Sequence, residues 1–262
     1  HIAPVGTLAM DNRKLELPDG LITALRDARH ALVLTGAGMS AESGVPTFRD
    51  AQSGLWAKHR PEDLASPEAF HRNPQLVWDW YTQRRDNVRS VRPHAGHRAL
   101  VEMERHFDTF VLVTPNVDSL PQRAGSSDVV ELHGHIMQSV CSETGQALDD
   151  DWIMAQSGRP PPSPHHPDGR ARPGVVWFGE MLPEQAINRA ILAAQRCDVC
   201  FSIGTSTLVQ PAASLPFVAL EAGAVVIEVN PAPTALSDQA RFSLQATAAV
   251  ALTEIAAALA RI

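Results

Sequence analysis

The chain has 262 residues, 44% of them apolar and 19% charged, with 22 Lys and Arg against 29 Asp and Glu for a net charge of −7. This composition supports a sizeable core and excludes a disordered chain. The acidic balance argues against nucleic-acid partners, and no apolar run approaches the roughly 18 residues of a membrane span. The three cysteines, Cys141, Cys197 and Cys200, cannot form a disulfide scaffold and suggest a reducing, cytoplasmic compartment.

Residues 1–19 read as an N-terminal extension. Its first ten residues, HIAPVGTLAM, lack the basic-then-apolar layout of a signal peptide and read in part as vector-derived ahead of Met10. Ala31–Thr35 is the first strand-like run and leads straight into Gly36-Ala37-Gly38-Met39-Ser40-Ala41. A strand, then G-x-G-x-x-A, then a helical start is the geometry of a dinucleotide phosphate site: the first glycine permits the tight turn and the second lets backbone approach a pyrophosphate. Alone, the pattern is weak, because structural turns also use it. The acidic residue expected about 20 positions on is missing, which disfavours a standard dehydrogenase.

Residues 51–92 are rich in aromatics and charges and read as helices crossing the sheet edge. Tyr81 and Arg84 within them share one helix face, where a phenol and a guanidinium can grip a carboxylate, although such pairs usually belong to a solvated face. A helix over Pro93–Arg105 and a strand over Thr109–Thr114 follow, then Asn116 and Asp118, both common turn formers. The strand Val129–Leu132 places His133 at a strand's C-terminal end, where open α/β sheets bind ligands. Residues 135–172 contain the proline-rich Ser157–Gly169, predicted to be a loop or small insert.

Beyond it lie a strand over Val175–Phe178, a helix over Glu184–Arg196 and a strand over Val199–Ile203, where Cys197 and Cys200 read as core residues rather than a metal half-site. Gly204-Thr205-Ser206, a helix over Ala212–Ala222, a strand over Ala224–Val229 followed by Asn230, and a helix over Leu252–Ile262 complete the chain. Apolar strands alternating with helices predict an α/β fold: a Rossmann-like parallel sheet with helices on both faces, plus a smaller inserted module. The large part is expected over 20–50, 93–134 and 173–262, and the small module over 51–92 and 135–172.

Gly36–Asp50, GAGMSAESGVPTFRD, resembles the NAD-binding signature of the sirtuins, GAGxSxxSGIPxFR. Further matches follow in the family's order: Gly54-Leu55-Trp56, Pro93-His94 with His97, Asn116-Val117-Asp118, His133-Gly134, RPGVVWFGE over 172–180, Gly204-Thr205-Ser206 and Asn230. The resemblance spans roughly residues 20–255. It implies an NAD-dependent protein-lysine deacylase that removes acetyl or succinyl-type groups from acyl-lysine proteins and releases nicotinamide and O-acyl-ADP-ribose. In the implied mechanism the acyl oxygen attacks C1′ of the nicotinamide ribose and nicotinamide leaves. His133, the general base, then helps deprotonate a ribose hydroxyl.

The same resemblance places NAD on Gly36, Ala37, Gly38, Ser40, Glu42, Thr47, Phe48, Arg49, Trp56, Asn116, Asp118, Gly204, Thr205, Ser206 and Asn230. Asn116 and Asp118, grouped with His133 as catalytic, would contact the nicotinamide end. Phe48 and Arg49 would shield the reactive sugar, and Gly204–Ser206 with Asn230 would hold the adenosine half. Val176, Phe178, Gly179 and Glu180 would offer a strand edge to the substrate peptide. In sirtuins similar to the desuccinylating branch, a Y-x-x-R such as Tyr81/Arg84 recognises succinyl- or malonyl-lysine.

Three departures stand out. The family's four zinc thiolates fall on Cys141, Thr144, Pro164 and Pro167, so no structural zinc is expected and the small module would be held by packing. Pro115 replaces a glutamine, removing an amide and a backbone N–H near the nicotinamide ribose. Ser119-Leu120-Pro121 replaces Gly-Leu-His. The rival readings are an ADP-ribosyltransferase or NAD glycohydrolase, and a non-catalytic NAD-sensing module motivated by Pro115.

Overall fold

The computed structural model describes residues 14–47, 50 and 54–262; Phe48 and Arg49 lie outside the described residues. Its strands are β1 (His30–Thr35), β2 (Thr109–Thr114), β3 (Val129–Glu131), β4 (Gly134–Cys141), β5 (Ala147–Leu148), β6 (Ala171–Val175), β7 (Val199–Ile203), β8 (Val225–Val229) and β9 (Phe242–Leu244). Six of them form one sheet in the order β3-β2-β1-β7-β8-β9, with every pairing parallel. The chain builds outward from β1 through β2 and β3, then returns to start the other half at β7. The order therefore reverses between β1 and β7, and the crevice at their C-terminal ends is the expected ligand position.

The alternation in HALVLT explains why β1 is central. Ala31 and Val33 face one core, with helices Leu21–Asp27, Ala95–Glu104 and Ala248–Leu259; Leu32 and Leu34 face the other, with Glu184–Arg196 and Leu215–Glu221. Cys197 and Cys200 are buried in this second core. Burial pushes the Cys197 thiol up to about 11, so both cysteines act as small hydrophobes.

The expected elements differ mainly at their ends. The helix predicted over Pro93–Arg105 is Ala95–Glu104, because His94 Nδ1 accepts the Gly96 N–H at 3.0 Å and caps it. The last helix begins at Ala248, four residues early, behind the cap Thr247. Ala212–Ser214 is a 3₁₀ turn ahead of helix Leu215–Glu221. β9, three residues long, carried no recognisable sequence pattern.

The second sheet, β5-β4-β6, is antiparallel. β6 carries it beyond residue 172, to Val175. Helices Pro61–Leu64, Pro67–Arg72 and Pro74–Ser90 each open on a proline, suited to a position with no N–H to satisfy. They close a core containing Phe70, Trp80, Tyr81, Ile136 and Trp177. Among the described residues no helix is long and apolar enough to cross a membrane.

Candidate active site

The glycine turn sits at the crevice. Gly36 N–H donates to Ile203 O at 2.9 Å and Gly38 N–H to Gly204 O at 2.8 Å, so the turns after β1 and β7 are bonded to each other. A Cβ on Gly36 would lie 2.6 Å from Gly204 O, and one on Gly38 2.8 Å from the same atom. Both glycines are required by this backbone approach; Gly36 itself is extended. Gly204 has φ +62°, and a side chain there would strike Met39 N at 2.5 Å. A hollow of about 330 Å³ opens beside the turn, lined by Gly38, Glu42, Gly204, Val229, Pro231 and Thr247 among others. Ala37 is exposed at the helix start.

The carboxylate of Glu42 accepts the Ala248 and Ala249 N–H groups at 2.9 and 3.0 Å, bridging the glycine turn to the last helix. Thr47 N–H donates to Asp50 at 2.6 Å. Thr205 Oγ1 accepts the Thr207 N–H, and the Ser206 carbonyl accepts the Thr207 hydroxyl. Asn230 donates its amide to Ala232 O at 2.8 Å. Trp56 packs against the small module's core.

The turn after β2 brings the polar residues together. Asn116 Nδ2 donates to Gly36 O at 2.9 Å and Ser40 Oγ at 3.0 Å, and Ser40 Oγ donates to Asp118 at 2.5 Å. The other Asp118 oxygen accepts Leu120 N–H at 2.9 Å, while Ser119 adopts a left-handed φ of +59°. His133 follows β3, half-buried. Burial holds its imidazole below the ordinary 6.5, partly offset by a bond to the Pro115 backbone.

The expected strand Val175–Phe178 stops at Val175, because side chains capture the backbone beyond it. Arg172 donates to both Glu180 oxygens at 2.8 Å and to Val175 O at 2.7 Å. Glu180 in turn accepts the Trp177 N–H at 2.8 Å. Val176 N–H goes to His133 O and Phe178 N–H to Ala65 O, and Gly179 turns the chain at φ +84°. Val176–Glu180 is therefore a clamped loop rather than a strand edge, with Phe178 51% and Met181 92% exposed at its rim.

Trp177 joins this loop to the Tyr81 face. Its indole N–H donates to Tyr81 Oη at 2.9 Å, and the Arg172 guanidinium lies 3.5 Å from its ring centroid. Burial pushes Tyr81 up to about 12, so it stays a neutral phenol. Arg84 is half-buried, 4.8 Å from the Trp80 ring centroid and one turn along the same helix from Tyr81. Arg85 instead bonds to Ile136 O at 2.7 Å and Gln138 O at 2.9 Å, stapling its helix to β4. Arg172 and Arg85 carried no assigned role in the sequence reading, since their partners lie outside any local pattern.

At the positions of the expected thiolates, Cys141 is buried beside Gly169, where a Cβ would lie 2.7 Å from its sulfur. Burial raises this thiol, but hydrogen bonds from Ser163, Thr144 and the Glu143 backbone outweigh it and leave it below its ordinary value. Among the described residues no cluster of three or more His, Cys, Asp or Glu could hold a metal. Neither Thr144 nor the two prolines, Pro164 and Pro167, offers a thiolate.

The sequence profile of the Sir2 family matches residues 36–211. The NAD-dependent protein deacylase of Aquifex aeolicus is 47% identical over 224 residues, covering 86% of this chain and 92% of that protein. The NAD-dependent protein deacylase of Methylococcus capsulatus is 43% identical over 261 residues, covering 94% and 99%. A Sir2 homologue solved as its NAD complex superposes with a TM-score of 0.85 at 39% identity, covering 95% of this chain and 96% of that one. A Sir2 protein with deacetylated p53 peptide and 3′-O-acetyl ADP-ribose gives 0.77 at 27% identity, covering 92% and 96%. The chain belongs to the Sir2, or sirtuin, family.

Proposed function

We propose that this chain is an NAD-dependent protein-lysine deacylase whose acyl site accepts acidic acyl groups. The observation that carries the activity is the Asn116–Ser40–Asp118 chain, tied to Gly36 in the same crevice as the hollow beside the glycine turn. NAD supplies an ADP-ribosyl group activated by its nicotinamide leaving group. The glycine turn, Ala37, Ser40, Glu42, Thr47 and Trp56 hold it, with Gly204–Ser206 and Asn230 at the adenosine half and Asn116 and Asp118 at the nicotinamide end. Phe48 and Arg49, outside the described residues, complete this set by family likeness. His133, neutral at physiological pH because burial lowers its pKa, accepts the ribose proton.

The substrate peptide runs along the 176–180 loop, meeting Phe178 and the Val176 and Gly179 backbone, while Glu180 holds the loop in shape. Tyr81 and Arg84 receive a distal carboxylate: a buried phenol that stays protonated, beside a guanidinium one helical turn on, the pair of donors that suits charge-assisted hydrogen bonds. The small module needs no zinc; the Cys141 hydrogen bonds and the bonds from Ser142 and Arg170 to each other take its place. Three reduced, buried cysteines fit a cytoplasmic setting.

Acetyl-, succinyl- and longer-chain acyl-lysine peptides, assayed with NAD for wild type and Arg84→Met, test the acyl assignment. Desuccinylation should fall selectively in the variant while deacetylation persists; an unchanged ratio refutes the carboxylate clamp. Metal analysis giving about one zinc per chain would refute the zinc-free module.

A further inference from the structure

Glu228 lies on β8, an inner strand of the large sheet between β7 and β9, and is only 2% exposed. The hydrogen-bond partners of its carboxylate are hydroxyls: Thr234 and Ser237 donate to it, as does Ser243 at 3.3 Å. An unsolvated carboxylate is costly unless donors converge on it, so such a group organises whatever surrounds it.

The donors are not scattered. Two belong to the stretch that follows Asn230, and each relays the carboxylate's hold to backbone. Thr234 Oγ1 accepts Leu236 N–H at 3.1 Å, and Ser237 Oγ accepts Thr234 N–H at 2.8 Å. The same stretch begins with Pro231, a wall of the hollow beside the glycine turn, and Ala232, whose carbonyl fixes the Asn230 amide. A carboxylate inside the sheet thus shapes the loop forming one side of the crevice.

We propose that Glu228 is a positioning residue for NAD: through Thr234 and Ser237 it sets the loop that presents Asn230 and Pro231 to the adenosine half. This rests on the placement of adenosine proposed above. The two carboxylate oxygens share the three hydroxyls, one accepting from Thr234 and the other from Ser237 and Ser243. A glutamine at 228 offers one oxygen and turns two N–H donors toward hydroxyls already donating, so the loop must rearrange although the side chain keeps its shape.

The test measures NAD affinity without peptide, and the separate KM values for NAD and acyl peptide. Glu228→Gln should weaken NAD binding and raise its KM about tenfold, equivalent to about 1.4 kcal/mol, with the peptide KM within about twofold of wild type. Thr234→Val, a milder change nearer the surface, should reproduce most of that rise, and the double variant should be no worse than Glu228→Gln. Ser243→Ala, whose hydroxyl sits on β9 outside the loop, should leave NAD affinity unchanged. Both KM values rising together with a loss of thermal stability would overturn the proposal, as would unchanged NAD affinity in both Glu228→Gln and Thr234→Val. Asn230→Ala separates two kinds of failure. If it too leaves NAD affinity unchanged, the placement of adenosine is wrong; if it weakens NAD binding while Glu228→Gln does not, only the role of Glu228 falls.

Discussion

The two sides of the crevice are built from different materials. On the large-sheet side the framework is backbone and short side chains: glycine turns bonded to each other after β1 and β7, with Asn116 bonded to Gly36 and linked through Ser40 to Asp118. On the small-module side it is long side chains reaching across the chain: Trp177 to Tyr81, Arg172 to Glu180, Arg85 to β4. Backbone contact tolerates almost no substitution, whereas a side-chain network can be retuned one member at a time. That difference suits an invariant cosubstrate on one side and a variable acyl group on the other.

The sharpest way to break the contrast is at the glycine turn. Gly36→Ala puts a methyl 2.6 Å from the Gly204 carbonyl, which belongs to rigid backbone, so the variant should lose about 3 kcal/mol or more in denaturant unfolding. Near-wild-type stability would show that the two turns are loosely coupled. Arg172→Met keeps a stem over Trp177 but removes the donor to Val175 O and leaves Glu180 only the Trp177 N–H. Because Glu180 is partly exposed, the expected loss is about 2 kcal/mol, with a raised peptide KM and an unchanged NAD KM. A matching rise in the NAD KM would erase the distinction between the two sides.

Tyr81→Phe removes one bond to the Trp177 indole and should cost about 1 kcal/mol in stability, with a selective loss of desuccinylation. The smallest effect concerns pH. Burial lowers the His133 pKa and the neutral form is the base, so activity is retained above that pKa and lost as pH falls through it. The acid limb of kcat/KM should therefore inflect below 6.5; an inflection above it would contradict the burial effect.

Much of the large sheet was legible because its signals are contiguous: HALVLT runs directly into the glycine turn, and His133 follows the end of β3 by two residues, the strand stopping at Glu131 rather than Leu132. What could not be read depends on distance along the chain. Glu42 caps a helix 206 residues away, and Tyr81 and Trp177 meet across 96. The strand expected through Phe178 failed for the same reason. Its residues are good strand formers, but Arg172 and Glu180 take up the backbone groups a continuing strand would need.

The most direct measurement is a mass-spectrometric assay of acyl-lysine peptide with NAD, comparing wild type and His133→Ala at equal thermal stability. Wild type should yield nicotinamide, deacylated peptide and O-acyl-ADP-ribose, and the variant should be slower by about 10²–10⁴-fold while still binding NAD. Wild type releasing no deacylated peptide from any acyl substrate, or His133→Ala turning over at the wild-type rate, would contradict the assignment.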